Sequence, residues 1–468
     1  MPLRSALAAA LLLAAPIAHA QTAPVGDWSG TLMLPTAQLR VLLHVTEADG
    51  GLAATMDIPD QNAFDLPADV AMQQNDSLLV RFDRFQIGLA LAVAPDSLRG
   101  TFSQGPASLP IAFGPDTSAP MSDRPQTPVG PFPYAEVPVT VESEPGVTLA
   151  GTLVLPEGDG PFPGVVFLTG SGAQDRDESI FRHRPHALLA DALARAGVAS
   201  LRVDDRGMGA STGSYATATM DALLADARAV AGVLAARPEV RAVGVLGHSQ
   251  GGVTALRMAG EVDFVVLMAA PVVRMDRVMA VQNERARIAA GMDSTRAAQI
   301  GRALGAGFTT LAENAEEPDS LLAPRLLTLL VQTLGALPAD VRAADGMADA
   351  DAVQARARAA VGFMLNPSLR TLLTYDPAPD LAALATPTLG LFGGKDFQVP
   401  ADLNVPVLEA ALARTPGSEV LVVPDANHLF QGATTGALAE YAEIEQTMDP
   451  ETIAKVVGWI VDMTRLDD

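Results

Sequence analysis

The stretch that decides the fold is Gly247-His248-Ser249-Gln250-Gly251, because of the segments on either side of it. Residues 242–246 are apolar and partly β-branched, which predicts a buried strand, and residues 252–259 predict a helix. A tight turn between a strand and a helix raises a side chain clear of the sheet, and flanking glycines let the chain turn without Cβ clashes. We therefore predict that Ser249 is a nucleophile; the alternative is a purely structural turn.

A second match to the same Gly-x-Ser-x-Gly spacing occurs at Gly209-Ala210-Ser211-Thr212-Gly213. It follows a polar, glycine-rich segment at residues 204–208 that predicts a loop and not a strand. Because the strand is missing, Ser211 lacks the context that a presented nucleophile needs. Ser249 is therefore the candidate.

The first twenty residues have the pattern of a secretory signal peptide. Arg4 gives a positive start, residues 6–15 are an unbroken run of Ala and Leu, and Ala18-His19-Ala20 fits the small-x-small cleavage pattern. The apolar run is too short for a membrane span. We expect an exported protein, periplasmic or secreted, whose mature chain starts near Gln21.

Composition narrows the classes of function. The 468-residue chain has no cysteine, which excludes disulfides, thiolate metal sites and a cysteine nucleophile. Its formal charge of −23 repels phosphate backbones, so we expect no nucleic-acid partner. The sequence has no metal-ligand spacing, dinucleotide fingerprint or phosphate loop, so we expect no metal and no cofactor.

Three segments follow the predicted signal peptide. Residues 21–114 contain short apolar runs separated by Gly, Asp or Pro, which predicts seven or eight strands in a small antiparallel barrel or sandwich. Residues 115–135 are rich in proline and predict a linker. Residues 136–468 alternate strands with helices, which predicts an α/β domain with a mostly parallel sheet covered on both faces.

A helical insert at about residues 271–380 interrupts that alternation. It begins after the predicted strand that follows the Ser249 turn. Because ligands bind at the carboxyl ends of parallel strands, we predict that the insert forms a lid over the serine. The alternative is a helical elaboration away from the site.

Five marks between about residues 136 and 465 together resemble the α/β-hydrolase fold family. They are residues 168–178, residues 204–209, the Ser249 turn, residues 393–400 and residues 426–430. Within that family the chain is similar to secreted or periplasmic carboxylesterases and to serine aminopeptidase-like hydrolases. The β-rich segment is also similar to a small β-domain that precedes some of these enzymes. The resemblance implies the fold and a serine hydrolase activity.

A nucleophilic serine needs a base within hydrogen-bond reach. Of the six histidines, those at positions 19 and 44 lie outside the α/β segment. His248 is adjacent to the serine and should point away from it, and His183 and His186 are expected to be surface or helix-entry residues. His428 follows a late predicted strand and is the candidate base; the alternative is a solvated loop histidine.

The base needs an orienting carboxylate, which in this fold comes between serine and histidine along the chain. Asp396 follows a predicted strand and two glycines, so its carboxylate can turn over the strand end. Asp425 is the rival, but it lies three residues from His428 on the same loop, where the required approach to the imidazole is awkward. We predict Asp396.

The oxyanion of the reaction needs preorganised N–H donors. One should be the backbone amide of Gln250, at a helix N-terminus after the nucleophile. The resemblance implies that Ser171 supplies the second from Thr169-Gly170-Ser171-Gly172, where Thr169 replaces the usual His. The following Asp175-Arg176-Asp177-Glu178 could receive a substrate ammonium group, but we favour an internally paired, solvated loop.

Three functions remain open at this stage. The favoured one is a serine esterase that acts on small carboxylic esters. The second is a serine peptidase or amidase of the aminopeptidase-like kind. The third is a secreted binding module with a degenerate hydrolase domain, against which the complete set of Ser249, Asp396 and His428 argues. The sequence alone does not determine the natural substrate or the oligomeric state.

Overall fold

The computed structural model describes residues 24–33, 38–48, 50–61, 63–105, 107–117 and 124–465. The predicted signal peptide lies outside the described residues. The chain divides into two compact units, residues 1–120 and 121–468. Within the described ranges, no helix has the length and apolarity that crossing a membrane requires.

The first unit is a half-barrel made of one antiparallel sheet. Its nine strands are β1 (Gly26–Met33), β2 (Gln38–Ala48), β3 (Gly51–Ile58), β4 (Ala63–Pro67), β5 (Val70–Gln74), β6 (Ser77–Phe82), β7 (Ile87–Ala94), β8 (Ser97–Gln104) and β9 (Ala107–Pro115). They lie in the order β4-β3-β2-β1-β9-β8-β7-β6-β5. Alternate side chains along each strand, such as Val41, Leu43 and Val45 on β2, fill one buried face.

The predicted number of strands was wrong in detail, because the sheet has nine strands where seven or eight were predicted. The strands form a single half-barrel sheet, which fits the barrel alternative of the prediction and not the sandwich. Strands β4, β5 and β9 have the weakest signals in the sequence. β4 and β5 have only five residues each, and Pro110 inside β9 reads as a strand breaker.

The second unit contains an eight-stranded sheet. Its strands are β10 (Ala135–Glu144), β11 (Val147–Leu155), β12 (Phe162–Leu168), β13 (Ala199–Val203), β14 (Val240–His248), β15 (Val265–Met268), β16 (Thr388–Gly393) and β17 (Glu419–Val423). The order is β10-β11-β13-β12-β14-β15-β16-β17. The six strands from β13 to β17 are parallel, and β10 and β11 are antiparallel to their neighbours. The mostly parallel sheet is as predicted.

Twelve helices are described in this unit. They are α1 (Pro185–Arg195), α2 (Met220–Ala235), α3 (Gln250–Arg257), α4 (Met275–Ala289), α5 (Ser294–Glu313), α6 (Asp319–Gly335), α7 (Ala339–Ala344), α8 (Ala350–Met364), α9 (Pro367–Leu373), α10 (Ala378–Ala383), α11 (Ala401–Leu412) and α12 (Pro450–Arg465). Helices α4 to α10 form the insert between β15 and β16. Their core includes one fully buried face of α6, with Leu322, Leu326, Leu330 and Leu334 at intervals of four residues.

The second half of the predicted linker is attached to this unit. The Arg124 guanidinium donates hydrogen bonds to the carbonyl oxygens of Phe181 and Ala442. The Gln126 amide donates to the carbonyl oxygen of Met448. Residues 124–134 therefore lie against the sheet domain although they contain no helix or strand.

Candidate active site

Ser249 occupies the turn between β14 and α3. Its φ of 51° and ψ of −117° place a non-glycine residue in the left-handed region. A Cβ on Gly247 would overlap the backbone of Gly251, and a Cβ on Gly251 would overlap the carbonyl of Leu168. Both positions therefore require glycine, because other backbone atoms lie too close for a side chain. This close approach explains the two glycines of the Gly-x-Ser-x-Gly pattern.

His428 and Asp396 come from the ends of neighbouring strands. The Nδ1–H of His428 donates to Asp396 Oδ2 at 2.7 Å, and both side chains are buried. Asp396 Oδ1 accepts from the backbone amides of Gln398 and Val399 at 2.7 and 3.0 Å. These contacts fix the carboxylate and leave His428 Nε2 as the ring nitrogen that can act as a base.

The rival acid lies elsewhere. The Asp425 side chain is 82% exposed and pairs with Lys395 Nζ at 2.8 Å. Ser211, the second Gly-x-Ser-x-Gly serine, donates to the Asp204 carbonyl oxygen and accepts from the amide of Ala150. Its hydroxyl therefore ties two backbone segments together.

Ser249 and His428 lie on adjoining loops. Among the described residues no hydrogen bond joins the Ser249 hydroxyl to His428 Nε2. The neighbour of Ser249, His248, has its ring centroid 4.7 Å from that of His428, and its Nε2–H donates to the His428 carbonyl oxygen at 2.9 Å. Contacts between nucleophile and base are often long without substrate and shorten when it binds.

The loop after β12 is held at two points. The Gly170 N–H donates to Glu178 Oε1 at 2.6 Å, and the Gly172 N–H donates to the Tyr215 hydroxyl at 3.1 Å. Between them, the Ser171 N–H has no partner within the described part of the chain. Ser171 thus has an amide that is available to a ligand, and it lies with Gln250 on the wall of the pocket that contains Ser249.

That pocket has a volume of about 370 Å³. Apolar side chains of the insert form much of its wall, and they are Met275, Met279, Phe363, Leu369, Leu372 and Leu373. Its polar side chains besides the two serines are those of Gln250, Gln282 and Gln398. The insert therefore covers the serine side of the sheet, as a lid would, and the described lining carries no charged side chain.

The acidic loop was expected to be internally paired and solvated, but its ion pairs are with residues outside the loop and two of its acids are buried. Asp177 and Glu178 are buried, at 5% and 4% exposure. Asp177 forms ion pairs with Arg184 and Arg202, and Arg176 binds Asp204 at 2.6 Å. No acid of this loop lines the pocket.

His183 and His186, expected to be surface or helix-entry residues, lie at the start of α1 and are both buried. His183 is 0% exposed and His186 is 1% exposed. Burial is the main reason why the pKa of His183 falls to about 4, with the charge of Arg124 adding to it. Helix α1 begins under the loops of the site and not at the surface, so its first residues are enclosed.

Sequence reasoning missed a buried charge cluster behind the site. Glu178 Oε1 lies 2.9 Å from His248 Nδ1, and Oε2 lies 2.9 Å from His186 Nε2 in a contact without good hydrogen-bond geometry. Burial opposes ionisation of Glu178, but the charges of the two histidines outweigh it and hold its pKa well below the usual range. Burial likewise opposes protonation of His248, yet Glu178 raises its pKa. The signals in the sequence were an acid eight residues after Gly170 and a histidine beside the nucleophile.

Asp205 supports the same loop from below. Its carboxylate accepts from the Thr169 hydroxyl at 3.0 Å and from the Gln174 amide at 2.9 Å. Burial raises its pKa to about 7. Thr169, which stands where the family mark has His, therefore has a structural role at the start of the loop.

This chain is similar in sequence to known proteins. The model of the alpha/beta hydrolase family matches residues 165–441, a span that contains Ser249, Asp396 and His428. Esterase EstD of Thermotoga maritima is 26% identical to this chain over 339 residues, which are 71% of this chain and 69% of that protein.

Solved structures of the same kind are also similar in outline. An esterase of Pyrococcus furiosus is 16% identical with a TM-score of 0.40, and the match covers 73% of this chain and 98% of that one. A proline iminopeptidase of Mycobacterium smegmatis is 16% identical with a TM-score of 0.41, and the match covers 71% of this chain and 100% of that one. Because the family model matches more than half of its residues, this chain belongs to the alpha/beta hydrolase family and is a hydrolase.

Proposed function

We propose that this protein is a serine esterase that cleaves small carboxylic esters through an acyl-enzyme on Ser249. The observation that carries the proposal is the strained Ser249 turn, which places the serine on the wall of an apolar pocket. The hydrogen-bonded pair of His428 and Asp396 lies on the adjoining loops. Strain of this kind persists where the surrounding structure imposes it, and it concentrates at functional sites.

The reaction would take place in two halves. His428 Nε2 accepts the proton of the Ser249 hydroxyl while Oγ bonds to the ester carbonyl carbon. The oxyanion accepts hydrogen bonds from the amides of Gln250 and Ser171. The tetrahedral intermediate then expels the alcohol, which takes the proton from Nε2. Water, deprotonated by the same nitrogen, releases the acid and regenerates the serine.

The pocket favours an ester over a peptide substrate. An aminopeptidase would need an acidic anchor for the substrate's ammonium group, but Asp177 is already paired with Arg184 and Arg202, and Glu178 with His248. The described pocket lining offers apolar side chains and neutral amides, which suit an uncharged acyl group. An amine leaving group would also have to be protonated at closely defined geometry, whereas an alcohol leaves more easily. The name of the Thermotoga relative is in line with an ester substrate.

The decisive experiment compares Ser249→Ala with Ser211→Ala. Both serines stand in the same sequence pattern, but Ser211 is hydrogen-bonded to backbone groups and does not line the pocket that contains Ser249. We expect Ser249→Ala to lower kcat for a butyrate ester by about 10⁴-fold or more and to abolish labelling by a fluorophosphonate. Ser211→Ala should still be labelled and keep most of its turnover.

The substrate class is tested with the same proteins. We expect kcat/KM to be higher for acetate and butyrate esters than for alanyl or prolyl anilides. A faster anilide would replace the esterase proposal with the peptidase one. Absence of both turnover and labelling in the folded wild-type protein would favour the binding-module alternative.

A further inference from the structure

Glu178 holds three segments of the site at one buried carboxylate. Its Oε1 accepts from the Gly170 N–H at 2.6 Å and from His248 Nδ1 at 2.9 Å, and Oε2 lies 2.9 Å from His186 Nε2. The side chain is 5% exposed, and the residue has a φ of 53°. A buried carboxylate in a disfavoured backbone conformation is maintained only when its partners compensate for the cost.

The hydrogen bonds of His248 define its charge. Nδ1 faces a carboxylate oxygen that also accepts from Gly170, and Nε2 faces the His428 carbonyl oxygen at 2.9 Å. The carbonyl oxygen has no proton, and the Glu178 oxygen has none while the carboxylate is ionised, so both ring nitrogens donate in that state. A histidine that donates from both nitrogens is an imidazolium. The raised pKa of His248 and the lowered pKa of Glu178 agree with a charged pair.

The pair of Glu178 and His248 contacts both the loop of the predicted oxyanion donor and the backbone of the predicted base. On one side the carboxylate fixes Gly170, the residue before the predicted oxyanion donor Ser171. On the other side the imidazolium fixes the backbone of His428, the predicted base. Charge-assisted hydrogen bonds are about twice as strong as neutral ones, so the pair can keep both loops in position when a substrate binds.

We propose that Glu178 is a positioning residue that acts through a permanently protonated His248 to set the oxyanion loop and the base loop relative to Ser249. The inference rests on the proposed function, since it assigns a role in that same reaction. Glu178 touches neither the pocket nor the reacting atoms. Loss of Glu178 should therefore lower kcat more than it changes KM. Misplaced oxyanion donors and a misplaced base weaken binding of the transition state more than binding of the substrate.

Glu178→Gln tests the pair with almost no change of volume. If the glutamine oxygen faces Gly170 and His248, it can still accept from both. His248 has then lost its counter-charge, so it becomes neutral and one of its ring nitrogens can no longer donate. If the glutamine NH₂ faces them, the Gly170 contact is lost. We expect kcat for a butyrate ester to fall about 10- to 100-fold with KM changed less than about 3-fold.

His248→Phe and the double variant test whether the two residues act together. His248→Phe keeps a ring but removes both N–H donors. If the pair works as one unit, the double variant should lose about as much kcat as the worse single variant. If instead the kcat losses of the two single variants multiply in the double variant, and thermal stability falls along with kcat, the two residues have independent structural effects. That result would overturn the proposal.

Asp177→Asn is the matched control. Asp177 is a carboxylate on the same loop, is equally buried and is also ion-paired, but its partners Arg184 and Arg202 touch no residue of the predicted machinery. We expect lower thermal stability with kcat within about 3-fold of wild type. A loss of kcat equal to that of Glu178→Gln would show that any buried charge on the loop matters, and it would contradict a specific role for Glu178.

A spectroscopic measurement tests the charge of His248 without turnover. The groups that face His248 are Glu178, with His186 behind it, and the His428 loop, with Asp396 beyond. Hydrogen bonds to Asp57 and Asp27 raise the pKa of His44 in the half-barrel to about 9, so this ring also stays charged and serves as an internal reference. In histidine-selective ¹⁵N spectra we expect a second imidazolium, that of His248, which persists above the ordinary histidine range in wild type and becomes neutral in Glu178→Gln while His44 is unchanged. A neutral His248 in wild type would overturn the proposal. Failure of the proposed function would be recognised separately, as a wild-type protein without ester turnover or fluorophosphonate labelling.

Discussion

Asp396 and Asp425 show how the surroundings of a residue set its role. Both are carboxylates near His428 in sequence, at 32 and three residues respectively. Asp396 is 2% exposed and accepts two backbone amides in addition to the imidazole. Asp425 points to solvent and pairs with Lys395. Only the first environment fixes the tautomer of the base.

Replacing each acid by its amide should therefore have very different effects. In Asp396→Asn the imidazole loses the acceptor that holds Nδ1 protonated, and we expect kcat to fall by about 10⁴-fold. Asp425→Asn removes only an exposed ion pair and should leave kcat within about 2-fold. Ester turnover of the two folded variants measures this difference, and similar losses in both would remove Asp396 from its predicted role.

Among the elements, the helical insert forms much of the wall of the pocket that contains Ser249. Its helices α4, α8 and α9 contribute the apolar wall of the pocket. Phe363 on α8 is 43% exposed and lines the pocket, so it borders both the cavity and solvent. Truncating it should enlarge the pocket at limited cost in stability, because little buried area is lost.

We expect Phe363→Ala to shift acyl preference toward longer chains. The ratio of kcat/KM for octanoate over acetate esters should rise by about 3- to 10-fold, since each buried methylene contributes roughly 0.8 kcal/mol. Leu321→Ala is the control, because Leu321 is an exposed leucine of the same insert that does not line the pocket. An unchanged ratio in Phe363→Ala would show that this wall does not contact the acyl chain.

At the scale of the whole molecule, the second half of the predicted linker is part of the second unit. Strand β9 ends at Pro115 in the first unit, whereas Arg124 and Gln126 are already hydrogen-bonded to the second. Hydrogen-bonded backbone and side chains resist proteases better than unsupported chain does. Residues 124–134, in the second half of the predicted linker, should therefore resist cleavage better than their proline content indicates.

Limited proteolysis with a protease of broad specificity should first cut between Asp116 and Arg124. The larger fragment should retain Ser249, His428 and Asp396 and keep its ester turnover. Mass spectrometry of the fragments identifies the cut, and the ester assay reports the activity. A first cut between residues 126 and 134 would contradict the attachment of that stretch. A folded but inactive fragment would show that the half-barrel contributes to the reaction.

The sequence by itself determined the local features of this protein. Periodicity and turn chemistry are short-range properties, so residues 242–259 predicted β14, the Ser249 turn and α3, and the alternation of elements predicted the mostly parallel sheet. The chain order of serine, acid and histidine singled out candidates that the structure places on adjoining loops. Short or proline-containing strands such as β4, β5 and β9 escaped because their local signal is weak.

Only the tertiary structure decided which charged groups are buried and with whom. Glu178 and His248 are 70 residues apart, and His248 and His428 are 180 residues apart, so no local pattern relates them. The parallel sheet brings the carboxyl ends of β12, β14 and β17 to one edge, and the loops that follow these strands meet there. A carboxylate that sequence reasoning placed in solvent thus becomes the buried partner of two histidines, because burial is a property of the packed chain and not of any one segment.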